Sequence, residues 1–291
     1  MKTFLKNFLM LSFFAVSVLL ISCGEDDNPT PSGEYASGVF VINEGNFGDG
    51  DGSISFYTRE SEEVEQTIFQ SVNDEQALGD VIQSAYSHNG LTYLIANNSN
   101  KVEVVNSFTF ETQFAITDVE LPRYMTVAGG RGYLTEWVSF TAPGKVSVFN
   151  LETGVIEQEI EVGSLPEDIE VIGDKIYVTE AFGSPNLYIV DLANGNSVTT
   201  LTPGNGSNQL VSDADGNLWV ACGGGFDENF SPLGDGLLVK INPDSDQVMT
   251  SIELNTNYGG KLGINNAGTQ IYFYAGNAVY NLSNSFLYSL A

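Results

Sequence analysis

Tyr177-Val178-Thr179-Glu180 … Leu187-Tyr188-Ile189-Val190-Asp191 is the stretch on which the fold turns: an aromatic-led strand, a polar loop, and a second strand ending on Asp. Upstream the same phrase is written as Tyr93-Leu94-Ile95-Ala96 with Val102-Glu103-Val104-Val105-Asn106, and as Tyr133-Leu134-Thr135-Glu136 with Val146-Ser147-Val148-Phe149-Asn150. Downstream it returns as Trp219-Val220-Ala221 with Leu238-Val239-Lys240-Ile241-Asn242, and as Tyr272-Phe273-Tyr274 with Ala278-Val279-Tyr280-Asn281. The anchor aromatics stand at 93, 133, 177, 219 and 272, so the spacings are 40, 44, 42 and 53. A period near 40 built from alternating strands and turn residues marks the blades of a β-propeller. One blade cannot bury both of its faces, so blades must stack around an axis. The expected fold is therefore all-β: a β-propeller of four-stranded antiparallel blades, about six of them, over residues 38–291.

Strand parity sorts the loops. Consecutive strands of a blade run antiparallel, so successive connections alternate between the two faces of the disc. With the strands of a repeat labelled A to D, and the Tyr-Val-Thr strand as B, the B–C and D–A connections share one face. The other face holds plain tight turns such as His88-Asn89-Gly90, Gly173-Asp174 and Asn194-Gly195. The B–C loops are long and carry aromatics and amides: Asn43, Glu44, Asn46 and Phe47, then Asn97, then Glu136 and Trp137, then Glu180 and Phe182, then Phe226 and Phe230. The D–A turns bring Arg123, Tyr124 and Asn208 to the same side. Such a gathering on the irregular face of a rigid disc predicts a ligand-binding surface. The plainer alternative is that these aromatics cap their blades.

Residues 1–22 stand outside the repeats. Lys2 and Lys6 precede an almost wholly apolar run from Phe8 to Ile21, the pattern of a secretory signal, too short and too early for a spanning helix. The run ends Leu20-Ile21-Ser22-Cys23, which resembles a bacterial lipobox and implies acylation of Cys23 and a tether through lipid; a buried or disulfide-bonded Cys23 is the alternative. Glu25-Asp26-Asp27 follows directly and is similar to the surface-export signal of outer-membrane lipoproteins, the alternative being a solvated linker facing the periplasm. The expectation is a lipid-anchored protein of the outer membrane, facing outward. Residues 23–37, rich in Pro, Ser and acids, are expected to form a flexible linker. The formal net charge of −27, more negative once the two leader lysines are gone, argues against nucleic acid as a partner and against membrane contact beyond the anchor. With Cys23 acylated, Cys222 has no disulfide partner.

Catalytic constellations are scarce. The one histidine, His88, lies in a turn on the face opposite the long loops, which disfavours a His-dependent triad there. No zinc-type Cys/His spacing and no phosphate-cradling Gly loop occur. Asp49-Gly50-Asp51-Gly52 and Asp213-Ala214-Asp215-Gly216-Asn217 look like calcium loops but lack the glycine register of a helix-flanked site, and read as turns. Cys222 ends a strand without a nearby base and reads as a small buried thiol. Neither a catalytic residue, a metal nor a cofactor is expected.

Tyr177-Val178-Thr179-Glu180 with Ile189-Val190-Asp191 resembles the YVTN-type propeller repeat. Gly38-Val39-Phe40-Val41-Ile42-Asn43-Glu44-Gly45-Asn46-Phe47-Gly48, behind the lipoprotein leader, together with Leu121-Pro122-Arg123-Tyr124, resembles the BtuG family of surface lipoprotein propellers. That resemblance covers residues 38–291. It implies capture of a small-molecule nutrient, cobalamin or another corrinoid, and its transfer to a TonB-dependent outer-membrane transporter, with no reaction. The family closes seven blades with a C-terminal strand paired into the first, and blade one here begins with a B strand at Gly38. The expectation is a copy lacking about one blade, with a natural six-bladed ring as the alternative. Two other functions stay open. Asp215-Gly216-Asn217-Leu218-Trp219-Val220-Ala221 is similar to propeller lactonases and lyases, whose metal Glu44, Glu136, Glu180 and Asn208 would have to hold. A protein-interaction or adhesive propeller is the third.

Overall fold

The computed structural model describes residues 32–291 apart from 228, 230, 255–258, 276–277, 284–285 and 291. The signal, Cys23, the acids at 25–27 and Phe230 lie outside the described residues. Six antiparallel sheets follow one another along the chain. Blade one is β1 (Val39–Asn43), β2 (Ser53–Thr58) and β3 (Glu63–Glu65). Blade two is β4 (Ile82–His88), β5 (Leu91–Ala96), β6 (Lys101–Asn106) and β7 (Thr112–Ile116). Blade three is β8 (Pro122–Ala128), β9 (Arg131–Glu136), β10 (Lys145–Asn150) and β11 (Ile156–Glu161). Blade four is β12 (Pro166–Ile172), β13 (Lys175–Glu180), β14 (Leu187–Asp191) and β15 (Ser197–Leu201). Blade five is β16 (Ser207–Ser212), β17 (Leu218–Cys222), β18 (Leu237–Asn242) and β19 (Gln247–Glu253). Blade six is β20 (Gly259–Ile264), β21 (Ile271–Ala275), β22 (Ala278–Ser283) and β23 (Phe286–Leu290). Within each four-stranded sheet the strands pair in chain order, so the chain is a β-propeller with the expected parity of loops.

The middle strands are buried on both faces by neighbouring blades, and so read as near-continuous apolar runs, as in Leu218–Cys222. The outermost strands are polar. Glu157, Glu159 and Glu161 of β11 are exposed, charges that blunt a free edge against pairing. β1 has no strand on its free side among the described residues, and Val39, Val41 and Ile42 stay exposed.

The terminal Asn or Asp of each repeat has a mechanical role. Asn106, Asn150, Asp191 and Asn242 each turn Oδ1 back to accept the amides two and three residues on, closing the C–D turn. Asp213 likewise accepts the amides of Asp215 and Asn217, and its Oδ2 accepts Trp219 Nε1 and ion-pairs with Lys240. The Asp213 loop is thus a turn. Around the axis, blades are stitched by side chains reaching the next inner strand: Ser84 Oγ to Arg123 O at 2.7 Å, Thr135 Oγ1 to Glu167 O at 2.7 Å, and Thr179 Oγ1 to Asn208 O at 2.9 Å. Asp168 Oδ2 accepts Leu210 N at 2.9 Å, and Gln209 Oε1 accepts Leu262 N at 2.6 Å.

Two features depart from the sequence reading. The segment taken as a flexible linker to residue 37 is docked by Tyr35, which is 4% exposed, rests edge-on against Phe56 and Phe110, and donates its hydroxyl to Glu65. Burial of a large ring overrides the polar composition around it. A five-residue helix, α1 (Ile68–Val72), fills the connection to blade two and buries Ile68 and Phe69. Among the described residues no helix is long and apolar enough to cross a membrane.

Candidate functional site

The loops on the long-loop face are seated by a repeated backbone device. Val81, Leu121 and Leu165, each just before an inner strand, hold left-handed φ angles of 53°, 47° and 45°. This conformation is costly for residues with a β-carbon. It turns each carbonyl onto the first amide after the B strand of the same blade: Val81 O accepts Asn97 N, Leu121 O accepts Trp137 N, and Leu165 O accepts Ala181 N.

Across blades three, four and five these loops enclose a pocket of about 500 Å³. It brings together Arg123, Trp137, Glu180, Phe182, Asn208 and Phe226 from the expected set. Glu167 organises one wall. Its carboxylate takes Arg123 in a two-pronged ion pair, at 2.9 Å from Nε and 2.7 Å from Nη2, and accepts Trp137 Nε1 at 3.1 Å. The guanidinium lies 4.0 Å from the centre of the Trp137 ring, so indole and cation are locked face to face. Phe182 packs against the same indole at 5.5 Å yet is 75% exposed, its backbone left-handed at φ 56°. Phe140, 67% exposed, meets the indole edge-on, and Phe226 is 45% exposed. The floor is glycine. Gly225, at φ +66°, lies so close to blade four that a β-carbon there would sit 3.1 Å from the Gly183 carbonyl.

The remaining expected residues are elsewhere. Glu136 is fully buried, bonded to Ser147 Oγ and the Glu120 amide with Lys145 at 3.6 Å, and burial raises its carboxyl pKa against these opposing partners. Asn97 is buried and donates to the Pro122 carbonyl. Neither side chain lines the pocket. Tyr124 accepts Gln83 Nε2 near the axis, with Lys261 over its ring at 5.8 Å. Asn43, Glu44, Asn46 and Phe47 belong to the loop of blade one: Asn43 donates to Ser53 and Ser55, Asn46 donates to Asp51, the Glu44 carbonyl accepts Ile82 N, and Phe47 is 80% exposed.

Glu180 occupies the repeat position of Glu136 with the opposite outcome. Its Oε2 accepts Ser184 Oγ, Asn186 Nδ2 and the Tyr188 hydroxyl, and it lines the pocket. Ser147 and Tyr188 occupy corresponding places on the neighbouring strand, next to Val146 and Leu187, which pair with Thr135 and Thr179. A hydroxyl on Cβ draws Glu136 inward; one at the end of a ring holds Glu180 out. Sequence reasoning left out Asp227, Ser207 and the glycines, and although parity puts Glu167, in the D–A turn of blade four, on this face, it gave Glu167 no role; these parts depend on contacts between blades. Cys222 is buried beside Ser207, and burial pushes its thiol up to about 11. Among the described residues no three His, Cys, Asp or Glu side chains come together as a metal site.

A family model described as a domain of unknown function, DUF5074, matches residues 37–285. No curated protein matches the chain. Among solved structures it is similar to hydrazine synthase of Kuenenia stuttgartiensis, with a TM-score of 0.65 at 15% identity over 91% of this chain and 80% of that one. It is also similar to the WD40 domain of Toxoplasma gondii coronin, with a TM-score of 0.61 at 13% identity over 86% and 67% of the two chains. A quinoprotein alcohol dehydrogenase-like protein from Bacteroides thetaiotaomicron gives a TM-score of 0.63 at 14% identity over 87% of this chain and 62% of that one. At such identities the likeness is one of fold.

Proposed function

The chain belongs to the DUF5074 family, and on that premise we propose that it is a capture protein, binding a large, flat nutrient of the corrinoid kind across blades three to five. Lipid at Cys23 would hold it on the outer surface of the outer membrane, where a TonB-dependent transporter would receive the ligand. The observation that carries the reading is the pocket itself. Its indole and guanidinium are fixed by Glu167 from within the fold, while Phe182 and Phe226 stand exposed beside them. Preorganised aromatics bind without an ordering cost, each stacked pair contributing about 0.5–1.5 kcal/mol beyond burial. The likeness of residues 38–48 and 121–124 to the BtuG family supports the corrinoid.

Calorimetric titration with cobalamin tests it. Saturable binding is expected, weakened about tenfold by Phe182→Ala and untouched by His88→Ala on the opposite face. No binding by the folded protein removes the corrinoid. Equal weakening by both variants overturns the assignment of the face.

A further inference from the structure

Three carboxylates and one guanidinium line the pocket: Glu167, Glu180, Asp227 and Arg123. Arg123 is already committed to Glu167 through two hydrogen bonds. Glu180 is held by neutral donors alone, and all three bind Oε2, so Oε1 takes no partner among the described residues. Asp227 is similar: its Oδ1 accepts the amides of Asn229 and Ser231, and no cation pairs with it among the described residues. Glu180 and Asp227 thus each tie one oxygen to the scaffold, and among the described residues the other oxygen takes no partner. Both stand beside exposed aromatic rings, Phe182 and Phe226. A ring face and an open carboxylate oxygen both favour a positively charged nitrogen and disfavour an anion.

We infer that this pocket selects a cationic nitrogen group carried on an apolar body, and rejects anionic ligands. The inference rests on the capture reading for its site, but not on the corrinoid. A corrinoid would have to enter by its amide-bearing edge, with its phosphate kept outside.

The test uses three probes of like size at one ionic strength, benzylammonium, benzyl alcohol and benzoate, followed by ligand-observed NMR on the folded protein. The ammonium is expected to bind about tenfold tighter than the alcohol, with benzoate weakest. Glu180→Gln, which keeps shape and hydrogen bonding, should cut that preference to about twofold, and Asp227→Asn should lower it independently. His88→Ala should retain it. Equal binding of the three probes, a preference unchanged in Glu180→Gln, or no binding of any probe overturns the inference. Cobalamin titrated in parallel separates the two ideas. Charge preference without cobalamin binding defeats only the corrinoid, and cobalamin binding without charge preference defeats only the inference drawn from Glu180.

Discussion

Glu167 shows how one carboxylate sets a site. It fixes Arg123 with both oxygens and Trp137 with one, and the Arg123 and Glu167 side chains are only 12% and 13% exposed. Breaking a pair so nearly dry strands the remaining charge, so Glu167→Gln should cost about 3 kcal/mol in urea unfolding. Cobalamin affinity should fall with it, because the indole loses its anchor. Arg131 and Glu157 make an equally short contact, 2.7 Å, but are 55% and 37% exposed, and Arg131→Ala should leave the midpoint nearly unchanged. Strand parity was enough to bring Arg123, Trp137, Glu180, Phe182, Asn208 and Phe226 to one side. It was silent on direction. Trp137 is turned inward by a residue 30 positions away, and Glu136 and Glu180 part company over a neighbouring Ser or Tyr. Period and spacing carry no such information, since they fix backbones and not the reach of side chains.

At the scale of elements, turns and glycines decide. Asn150 Oδ1 accepts the amides of Glu152 and Thr153, so Asn150→Ala should cost about 1 kcal/mol while leaving ligand binding intact. Gly225→Ala should do the reverse. Its left-handed φ and the Gly183 carbonyl against the new methyl cost about 1–2 kcal/mol, and the displaced loop should weaken cobalamin by more than its loss of stability suggests. Melting curves set beside titrations separate the two patterns. The blades were legible because their apolar alternation repeats; α1 was not. Thr67 gives it no side-chain cap, and it exists because Ile68 and Phe69 are buried, a tertiary cause with no local signature. Tyr35 escaped for the same reason, a lone aromatic in a polar stretch.

For the whole molecule, pH is the informative variable. Asp168 joins blades four and five with both oxygens on backbone amides, and burial pushes its pKa from 3.8 to about 7, with the amides of Leu210 and Ile169 pulling the other way. Between these values the folded chain holds a proton that the unfolded chain has released. Stability should therefore be greatest near pH 4 and fall as pH rises to 7. Asp213, whose carboxyl is lowered despite its burial by Lys240, Trp219 and Asn217, acts with the opposite sign below that window. The net charge of −27 also weakens the fold as carboxylates ionise, but salt screens that repulsion and not the burial of one group. Melting at pH 5 and 8 should show the fall, salt should recover part of it, and Asp168→Asn should reduce the rest, the buried Glu136 and Glu170 keeping a share of the same sign; an unchanged slope in Asp168→Asn would remove Asp168 as a cause. The left-handed carbonyls of Val81, Leu121 and Leu165 have a longer reach than stability. Each gives its loop the same first hydrogen bond whatever the loop's length or composition, so the loops are interchangeable cassettes on a common socket. A lineage could swap them, and with them the cargo, while inheriting the wheel unchanged.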